Sequence, residues 1–338
     1  MKNILVIGSG LTGATLAYKH KEDKVTVIER RNHIGGNIYT EDIDGICVHQ
    51  YGAHIFHTND KEIWDFVNQF VHFNNYKHEV KSFYNGNLYS LPINMHTFKE
   101  FFGITNPEEI KQEHIDYIKK CLYYGYSAKQ WNKSIDKIDP KVFDRLPIRT
   151  TWDNNYFSDI YQGIPIEGYT SLIESLLQGC KIILNTEVTK DFDFTPYDLV
   201  YNTGPIDKFL EYELGHLEYR SLHFNTLSLK DLTYQNYAVV NFASESVPYT
   251  RIIEHKHFNY NGQKDTIVTF EYPYDYKEKR EPYYTVNTEV NNKLYQKYKE
   301  LAIIKYPNMI FCGRLGAYQY YDMDDAIKEA FNIFREYA

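Results

Sequence analysis

Three glycines and a glutamate near the amino terminus are spaced as in sites that bind a dinucleotide. Gly8, Gly10 and Gly13 form a GxGxxG motif, and Glu29 ends the next apolar run. Gly8 allows a tight turn, Gly10 lets the backbone approach a pyrophosphate, and Gly13 lets a helix pack closely on a strand. The Glu29 carboxylate can accept a hydrogen bond from a ribose hydroxyl. These groups predict that the chain binds an adenine dinucleotide, either NAD or FAD.

A strand, a turn, a helix and a second strand must hold these groups in place. The apolar run 3–7 precedes the glycines, residues 14–20 are compatible with a helix, and the apolar run 25–28 leads into Glu29. The N-terminus of such a helix offers unpaired N–H groups and a partial positive charge to a pyrophosphate. A secretory signal peptide is the competing interpretation. We reject it because polar residues and glycines interrupt the apolar run and a patterned strand follows.

A second glycine pair distinguishes the two cofactors. Gly35 and Gly36 follow Glu29 closely, in the segment ERRNHIGGN. This arrangement resembles the FAD-binding flavoproteins of the amine-oxidase and mutase type, in which a second glycine motif passes along the cofactor. NAD dehydrogenases do not usually carry such a pair. The resemblance implies that the cofactor is FAD.

Two histidines three residues apart, His54 and His57, follow a glycine and leave three interpretations open. A metal site is disfavoured because no carboxylate or third ligand has a matching spacing, so no metal is predicted. A structural hydrogen-bonding role is the commoner alternative. The third interpretation places both histidines in a loop beside the isoalloxazine ring of the flavin.

The composition excludes several other classes of function. The 338 residues are enough for two or three cores that share one cofactor site. The 37 basic and 45 acidic residues give a net charge of −8, which argues against a nucleic-acid partner. No apolar run of about eighteen residues exists, so no membrane insertion is predicted. Four cysteines without a CxxC motif indicate free thiols in a reducing compartment, and we expect a cytoplasmic location.

The remaining chain shows helical and strand patterns without an internal repeat. Helices are predicted over 60–72, over 94–126 with a break near Pro107, over 168–177, from a cap at Thr288 to 304, and over 323–337. A hairpin is predicted around Asn85-Gly86, strands over 181–188, 198–205 and 309–314, and a mainly antiparallel sheet between 217 and 276. Residues 131–147 are charged and weakly patterned, which predicts a mobile loop.

Several segments together resemble the UDP-galactopyranose mutase family, and they occur in family order over almost the whole chain. They are ERRNHIGGN at 29–37, YGAHIFHTND at 51–60, KQW at 129–131, DNNYFSDIYQGIP at 153–165, EYRSL at 218–222, VPYTRIIEHKHF at 247–258, EPYY at 281–284 and GRLGAYQYYDM at 313–323. Such a set is far more specific than the glycine motif alone.

The resemblance, together with the patterns, predicts a multi-part α/β (α+β) fold in three domains. A Rossmann-like FAD-binding domain takes residues 1–75, 168–216 and 305–338. A reduced helical domain takes 92–150, with the mobile loop near 132–147. A mainly antiparallel β-sheet domain takes 76–91, 151–167 and 217–304.

The activity implied by the resemblance is a flavin-dependent, redox-neutral isomerisation of UDP-galactopyranose and UDP-galactofuranose. In the family, FAD must be reduced, and its N5 attacks the anomeric carbon, expels UDP and gives a flavin–sugar adduct. The adduct opens to an iminium, which allows the sugar to close again with the other ring size. A cofactor that acts as the nucleophile removes the need for an acid–base dyad, and no convincing dyad occurs in the sequence. NAD(P)H or a reductase is implied as the source of electrons.

The resemblance also implies which side chains meet the substrate. Arg145, in the predicted mobile loop, and Arg251 match the arginines that hold the diphosphate, and with His54 and His57 they are the predicted catalytic residues. The other predicted substrate residues are Tyr126, which matches the ring that stacks on uracil, and Trp131, Tyr156, Arg220, Asn241, Tyr284, Tyr320, Asp322 and His78. The matched FAD positions are Gly8, Gly10, Gly13, Glu29, Arg30, Gly36, Asn37, Val188, Gly204, Gly313, Arg314 and Met323.

Three alternative functions and the oligomeric state stay open at this point. A mutase that acts on UDP-N-acetylgalactosamine differs only in the room beside the sugar 2-position. An FAD-dependent oxidoreductase of the amine-oxidase type would need an apolar substrate channel, and an FAD-binding scaffold would lack catalysis.

The stretch between Pro107 and Tyr126 is shorter than in typical bacterial members, whose helical domain contributes to the dimer contact, so a homodimer and a monomer are both possible. His78 stands where some members have asparagine.

Overall fold

The computed structural model describes residues 1–138, 143, 146–276 and 281–337, and we number its elements along the chain. The strands are β1 (Asn3–Ile7), β2 (Lys24–Ile28), β3 (Thr40–Ile43), β4 (Ile46–His49), β5 (Phe56–Thr58), β6 (Val80–Tyr84), β7 (Asn87–Leu91), β8 (Tyr161–Gly163), β9 (Lys181–Ile183), β10 (Leu199–Asn202), β11 (Tyr219–Leu229), β12 (Val239–Phe242), β13 (Arg251–Glu254), β14 (Thr266–Asp275), β15 (Tyr284–Thr285) and β16 (Met309–Phe311). The helices are α1 (Leu11–Lys19), α2 (Lys61–Val67), α3 (Met95–Phe102), α4 (Gln112–Lys119), α5 (Gly125–Trp131), α6 (Tyr169–Leu176), α7 (Ile206–Phe209), α8 (Glu289–Lys305), α9 (Gly313–Gly316) and α10 (Met323–Tyr337). A π-helical segment, Lys120–Tyr124, joins α4 to α5.

Five parallel strands form the sheet that carries the glycine motif, in the order β16-β10-β1-β2-β9. The residues of β1 are apolar almost throughout because both faces of this sheet are covered. Ile4 and Val6 belong to a core with residues of α1, α6 and α10, whereas Leu5 belongs to a second core with Tyr298 of α8. The order from β1 through α1 to β2 confirms the predicted Rossmann-like unit.

A second, seven-stranded sheet has the order β15-β11-β14-β13-β12-β6-β7, and only its β12–β6 pair is parallel. This confirms the predicted antiparallel sheet. Its register pairs Arg251 with Glu271 on one side and with Asn241 on the other, and Asn241 in turn with Ser82. Directly paired residues project from the same face of a sheet, so the four side chains form one polar row across four strands.

Three strands are shorter than the sequence predicts, and the one predicted over 198–205 forms only Leu199–Asn202. The strand predicted over 181–188 ends at Ile183, because the N–H groups of Asn185 and Thr186 donate to backbone carbonyls of the β2–β3 connection and of Glu29. The strand predicted over 309–314 ends at Phe311. Gly313 has φ +71°, which turns the chain into α9 instead. The change after Ile183 brings backbone beside Glu29 at the end of β2, and the change after Phe311 brings Gly313 beside Thr203 at the end of β10.

The predicted helices over 60–72, 94–126, 168–177, 288–304 and 323–337 are confirmed, with ends that shift by a few residues. Part of the predicted mobile loop, including Arg145, lies outside the described residues. Helix α8 packs on the five-stranded sheet, although the predicted boundaries place most of it with the antiparallel sheet; the division into three domains stays a prediction. Within the described ranges, no helix is long and apolar enough to cross a bilayer.

Candidate active site

A cavity of about 680 Å³ opens at the carboxyl ends of the parallel strands. Ligands bind to open α/β sheets at this edge. All the positions predicted to contact FAD line the cavity, and so do His54 and Asp322. The FAD positions are Gly8, Gly10, Gly13, Glu29, Arg30, Gly36, Asn37, Val188, Gly204, Gly313, Arg314 and Met323.

The glycines form a cradle that side chains would fill. Gly8 has φ +98°, and a Cβ there would lie 2.1 Å from Thr203 Oγ1. A Cβ on Gly13 would lie 2.2 Å from the Gly8 carbonyl oxygen, and one on Gly36 would lie 2.8 Å from Gly10 Cα. Helix α1 begins after Gly10 with no side-chain cap, so its first N–H groups face the cavity edge unpaired by a side chain. This arrangement suits a diphosphate.

Glu29 has a structural role that the sequence did not predict. It is 5% exposed, and its Oε2 accepts from the Ser9 N–H at 2.9 Å and from the Ser9 hydroxyl at 2.8 Å. Its Oε1 accepts from the Arg31 N–H at 2.9 Å. The carboxylate therefore holds the glycine turn in place as well as facing the cavity.

Arg31 and Glu281 are further cavity residues that the sequence analysis missed. Arg31 Nη2 lies 3.1 Å from Glu281 Oε2 and 3.0 Å from Asn37 Oδ1, and its guanidinium lies 4.3 Å from the Tyr51 ring centroid. Arg30 also pairs with Glu281. Burial raises the pKa of Glu281, but the two arginines outweigh it and lower the pKa overall. The adjacent arginines Arg30 and Arg31 were the only signal in the sequence for this contact, because their partner Glu281 is remote in sequence.

A second group of side chains surrounds Arg251 on the antiparallel sheet. Arg251 Nε donates to Glu271 Oε2 at 2.8 Å. Burial disfavours the charged guanidinium, yet Glu271, with Tyr126 and Tyr284, outweighs that effect and raises the Arg251 pKa well above its usual value. Beside it, Asn241 Oδ1 is buried with no hydrogen-bond partner among the described residues. An orphaned acceptor next to a fixed cation is a site prepared for a polar ligand.

Arg314 connects the Arg251 group to the large cavity. Its guanidinium lies 5.6 Å from the Tyr284 ring centroid and 5.1 Å from that of Tyr320, and these two rings are stacked 5.9 Å apart. Burial raises the pKa of Tyr284 to about 12, so its hydroxyl stays protonated at neutral pH. Tyr320 is 56% exposed, and so is open to a ligand in the cleft.

The predicted histidines lie between these two regions, and burial keeps two of them, His54 and His78, uncharged at neutral pH. His54 Nδ1 lies 2.8 Å from the Gly52 carbonyl oxygen, and burial lowers its pKa to about 4. His57 Nδ1 lies 3.0 Å from Asp159 Oδ2. Burial likewise lowers the pKa of His78 to about 3, and the His78 ring lies 5.8 Å from that of Tyr156. A neutral imidazole can donate one hydrogen bond and accept another without adding charge to a site that already holds arginines.

Two predicted substrate residues lie elsewhere. Trp131 and Arg220 line a separate cavity of about 450 Å³. Arg220 Nε donates to the Gln130 carbonyl at 3.1 Å, and its Nη1 lies 2.5 Å from Asp275 Oδ1. The structure therefore assigns Arg220 contacts with the end of α5 and with β14, not with the Arg251 group.

Lys129 fixes the helix that carries Tyr126 and Trp131. Its ammonium donates to the Phe242 carbonyl at 2.7 Å and to the Tyr249 carbonyl at 2.8 Å, at the ends of β12 and of the loop before β13. Burial lowers the pKa of Lys129 to about 8. One side chain thus joins α5 to the sheet that carries Arg251.

Replacing Lys129 with methionine should destabilise the fold. Two carbonyls would lose their shared donor, which costs about 2–3 kcal/mol in the free energy of unfolding. Urea unfolding at pH 7 measures the change, with K120M, which removes an exposed lysine of the π-helical segment before α5, as the control. Equal stability of the two variants would contradict the assigned role of Lys129.

Comparison with known proteins places the chain among nucleotide-sugar mutases. A sequence profile of UDP-galactopyranose mutase matches residues 121–320, and a profile of NAD(P)-binding Rossmann-like domains matches residues 6–70. A dTDP-fucopyranose mutase of Escherichia coli is 36% identical over 372 aligned residues, which cover 100% of this chain and 98% of that protein. A probable UDP-galactopyranose mutase of Klebsiella pneumoniae is 36% identical over 367 aligned residues, which cover 99% and 94%.

A solved structure shows the same fold. The crystal structure of a reduced UDP-galactopyranose mutase matches with a TM-score of 0.73 over 99% of this chain and 93% of that chain, at 13% identity. The predicted fold class is confirmed, and so is the expectation of an enzyme with a nucleotide-binding Rossmann domain. The profile covers more than half of the chain, and the relatives align along its whole length. The chain therefore belongs to the UDP-galactopyranose mutase family.

Proposed function

We propose that this chain interconverts UDP-galactopyranose and UDP-galactofuranose, with reduced FAD in the glycine-lined cavity. The observation that carries the proposal is the position of Arg314. It lines the cofactor cavity and lies over Tyr284 of the Arg251 group and over Tyr320, which stacks on Tyr284. The cavity that suits a nucleotide cofactor and the cleft formed by the tyrosines around Arg251 therefore meet at the Arg314 side chain.

The cavity residues fit FAD in shape and in chemistry. The glycine cradle suits the diphosphate, Glu29 lies where a ribose is expected, and Arg314 also lines the cavity, where its charge would favour an anionic reduced flavin. Reduced FAD, when bound, supplies the N5 nucleophile for the anomeric carbon of the sugar. Because the net reaction leaves the flavin reduced, we infer that NAD(P)H or a reductase supplies electrons only to activate the enzyme.

The chain's own residues then bind the leaving diphosphate and orient the sugar. Arg251 is charged at every accessible pH, and its planar fork can hold phosphate oxygens bidentately. We infer that Arg145, in the segment predicted to be a mobile loop, supplies a second cation. The Asn241 amide oxygen can accept from a sugar hydroxyl, and the ring of Tyr126 can stack on the uracil. Trp131 and Arg220 would contact the substrate only from their separate cavity.

The neutral His54 imidazole suits the cofactor side of the cleft. It lines the cavity, and its Nδ1 is occupied by the Gly52 carbonyl, so its other nitrogen remains for a proton at the reacting end. His57, oriented by Asp159, lies on the same side, and Asp322 acts electrostatically on both His57 and Arg314. The two imidazoles can form hydrogen bonds at the reacting end, and the negative charge of Asp322 is opposed there by Arg314.

Three other substrates or reactions compete with this proposal. An amine-oxidase type of reaction would need an apolar channel, whereas Arg251, Glu271 and Arg314 make the cleft strongly polar. UDP-N-acetylgalactosamine would need room beside the sugar 2-position. dTDP-fucopyranose is the substrate named for a relative that is as similar as the UDP-galactopyranose mutase of Klebsiella, at 36% identity each.

A substrate panel tests the proposal. Purified protein with bound flavin is reduced with dithionite and incubated separately with the furanose forms of UDP-galactose, UDP-N-acetylgalactosamine and dTDP-fucose, and products are separated by chromatography. We expect the largest kcat/KM for the UDP-galactose pair. A preference for either other sugar nucleotide would replace the proposed substrate, and turnover of an amine with net flavin reduction would replace the reaction class.

A further inference from the structure

A half-buried carboxylate on α10, that of Glu329, reaches the turn that carries Arg314. Glu329 Oε2 accepts from the Gly313 N–H at 2.9 Å. Gly313 begins α9, has φ +71° and lines the large cavity. Glu329 itself is not among the residues that line this cavity. Its contact therefore acts on the site through the backbone of α9.

The same carboxylate also holds the far end of this segment. The Tyr321 hydroxyl is hydrogen-bonded to Glu329. The Tyr321 carbonyl in turn accepts from Arg314 Nη2. Glu329 thus joins the first residue of the segment 313–321 to its last, and Arg314 and Tyr320 lie between these two anchors.

The groups that face Glu329 explain how its charge behaves. They are the Gly313 N–H on α9, the Tyr321 hydroxyl, the Cys312 thiol after β16 and the Tyr295 hydroxyl of α8, and none of these is a cation. Asp325, on the same helix, also faces Tyr321, while the adjacent Lys328 pairs with Asp60 instead. Burial raises the pKa of Glu329 to about 7, although the two hydrogen bonds oppose the shift. Its carboxyl therefore changes charge near neutral pH.

We propose that Glu329 is a positioning residue that fixes Arg314 and Tyr320 for the cofactor and the substrate. The inference rests on the proposed FAD site and adds to it a side chain that touches neither ligand. The ionised carboxylate is the stronger acceptor for the Gly313 N–H and the Tyr321 hydroxyl. The segment is therefore held more firmly above the pKa of Glu329 than below it, and FAD binds more tightly at pH 8 than at pH 6.

The stability of the protein without FAD should show the opposite trend. The folded protein holds the Glu329 proton more tightly than the unfolded chain does, because the folded pKa is about 7 and the ordinary value is 4.5. Between pH 4.5 and pH 7, Glu329 is ionised mainly in the unfolded chain. The contribution of Glu329 to the free energy of unfolding therefore falls as the pH rises towards 7. A side chain with only a structural role in the core would not also change FAD affinity in the other direction.

Three variants separate these effects. E329A removes the acceptor, E329Q keeps an acceptor but cannot ionise, and E336A removes an exposed carboxylate of the same helix as the matched control. The dissociation constant of FAD is measured by flavin fluorescence on protein stripped of its cofactor, at pH 6 and pH 8. The reduction potential of the bound flavin and the thermal midpoint of the stripped protein are measured at the same pH values.

We expect E329A to raise the dissociation constant of FAD about tenfold at pH 8, the effect of one lost charge-assisted hydrogen bond. It should also lower the flavin reduction potential, because a displaced Arg314 stabilises the anionic reduced ring less. E329Q should stay within about threefold of the unmodified protein at pH 8, since one neutral acceptor replaces a charged one, and should lose the difference between pH 6 and pH 8. E336A should behave as the unmodified protein.

Each outcome decides the inference. If the unmodified protein binds FAD and E329A matches it in affinity and potential, Glu329 does not position the segment. If E329A does not fold, E329Q decides, and an unchanged pH dependence of FAD affinity in E329Q overturns the proposal. If the unmodified protein fails to bind FAD at either pH, the proposed function itself is wrong, which is a separate and recognisable result.

Discussion

Replacing Arg251 with methionine should lower kcat/KM for UDP-galactofuranose by about 100-fold or more. A lost cationic donor at a developing phosphate charge has effects of this size, because the site is fixed before the reaction and excludes water. R251K keeps the charge but not the fork, so we expect it to recover only part of the activity. Steady-state kinetics of the reduced enzyme, with the product quantified by chromatography, measures both variants.

Stability must be separated from catalysis in this experiment, because Arg251 also neutralises Glu271. The Glu271 side chain is 4% exposed, so methionine at position 251 leaves a buried carboxylate unpaired, at a cost of about 3 kcal/mol in the free energy of unfolding. The double variant R251M/E271Q removes this charge. R335M, which removes an exposed arginine that pairs with Glu62, is the control. Activity within about threefold of normal in folded R251M/E271Q would contradict the role of Arg251.

Replacing Gly36 with asparagine should weaken FAD binding by about 100-fold or more. Asparagine tolerates positive φ, so the φ of +55° at this position is not the obstacle. The obstacle is steric, because a Cβ at position 36 would lie 2.8 Å from Gly10 Cα. This clash would push the Gly35-Gly36 pair away from the GxGxxG turn. The displaced backbone is the surface that faces the diphosphate. The ratio of flavin to protein after purification and the dissociation constant after reconstitution measure the loss.

Gly45 provides a matched control for this substitution. It has φ +77° but nothing within 4 Å of its Cβ position, so Gly45→Asn makes the same chemical change without the clash. We expect this variant to keep its FAD. If both variants retained FAD equally, the contact between the two glycine segments would not shape the cofactor site.

The nucleotide-binding unit was predictable because its determinants are local in sequence. The glycines, the first helix and the acid at Glu29 occur in one short stretch, and short apolar runs define the strands around them. All the matched FAD positions then line one cavity. The antiparallel sheet was predictable for the same reason, since β-branched and aromatic runs separated by turns recur through its part of the chain.

The partners of the site residues were not predictable, because they depend on register and on packing between distant segments. Glu271 meets Arg251 only through the pairing of β13 with β14. Glu329 meets Gly313 because α10 returns against α9, and no spacing in the sequence indicates that contact. The motif that contains Arg220 likewise did not indicate that its side chain lies beside Asp275 in a separate cavity.

Conversion of UDP-galactofuranose by the reduced and by the oxidised protein is the measurement that tests the central claim most directly. One preparation with bound FAD is divided under anaerobic conditions, one half is reduced with dithionite, and both are sampled over time by chromatography. We predict formation of UDP-galactopyranose only in the reduced half, with the flavin still reduced at the end. No conversion by the reduced, FAD-loaded protein, or equal conversion by the oxidised protein, would contradict the proposed function.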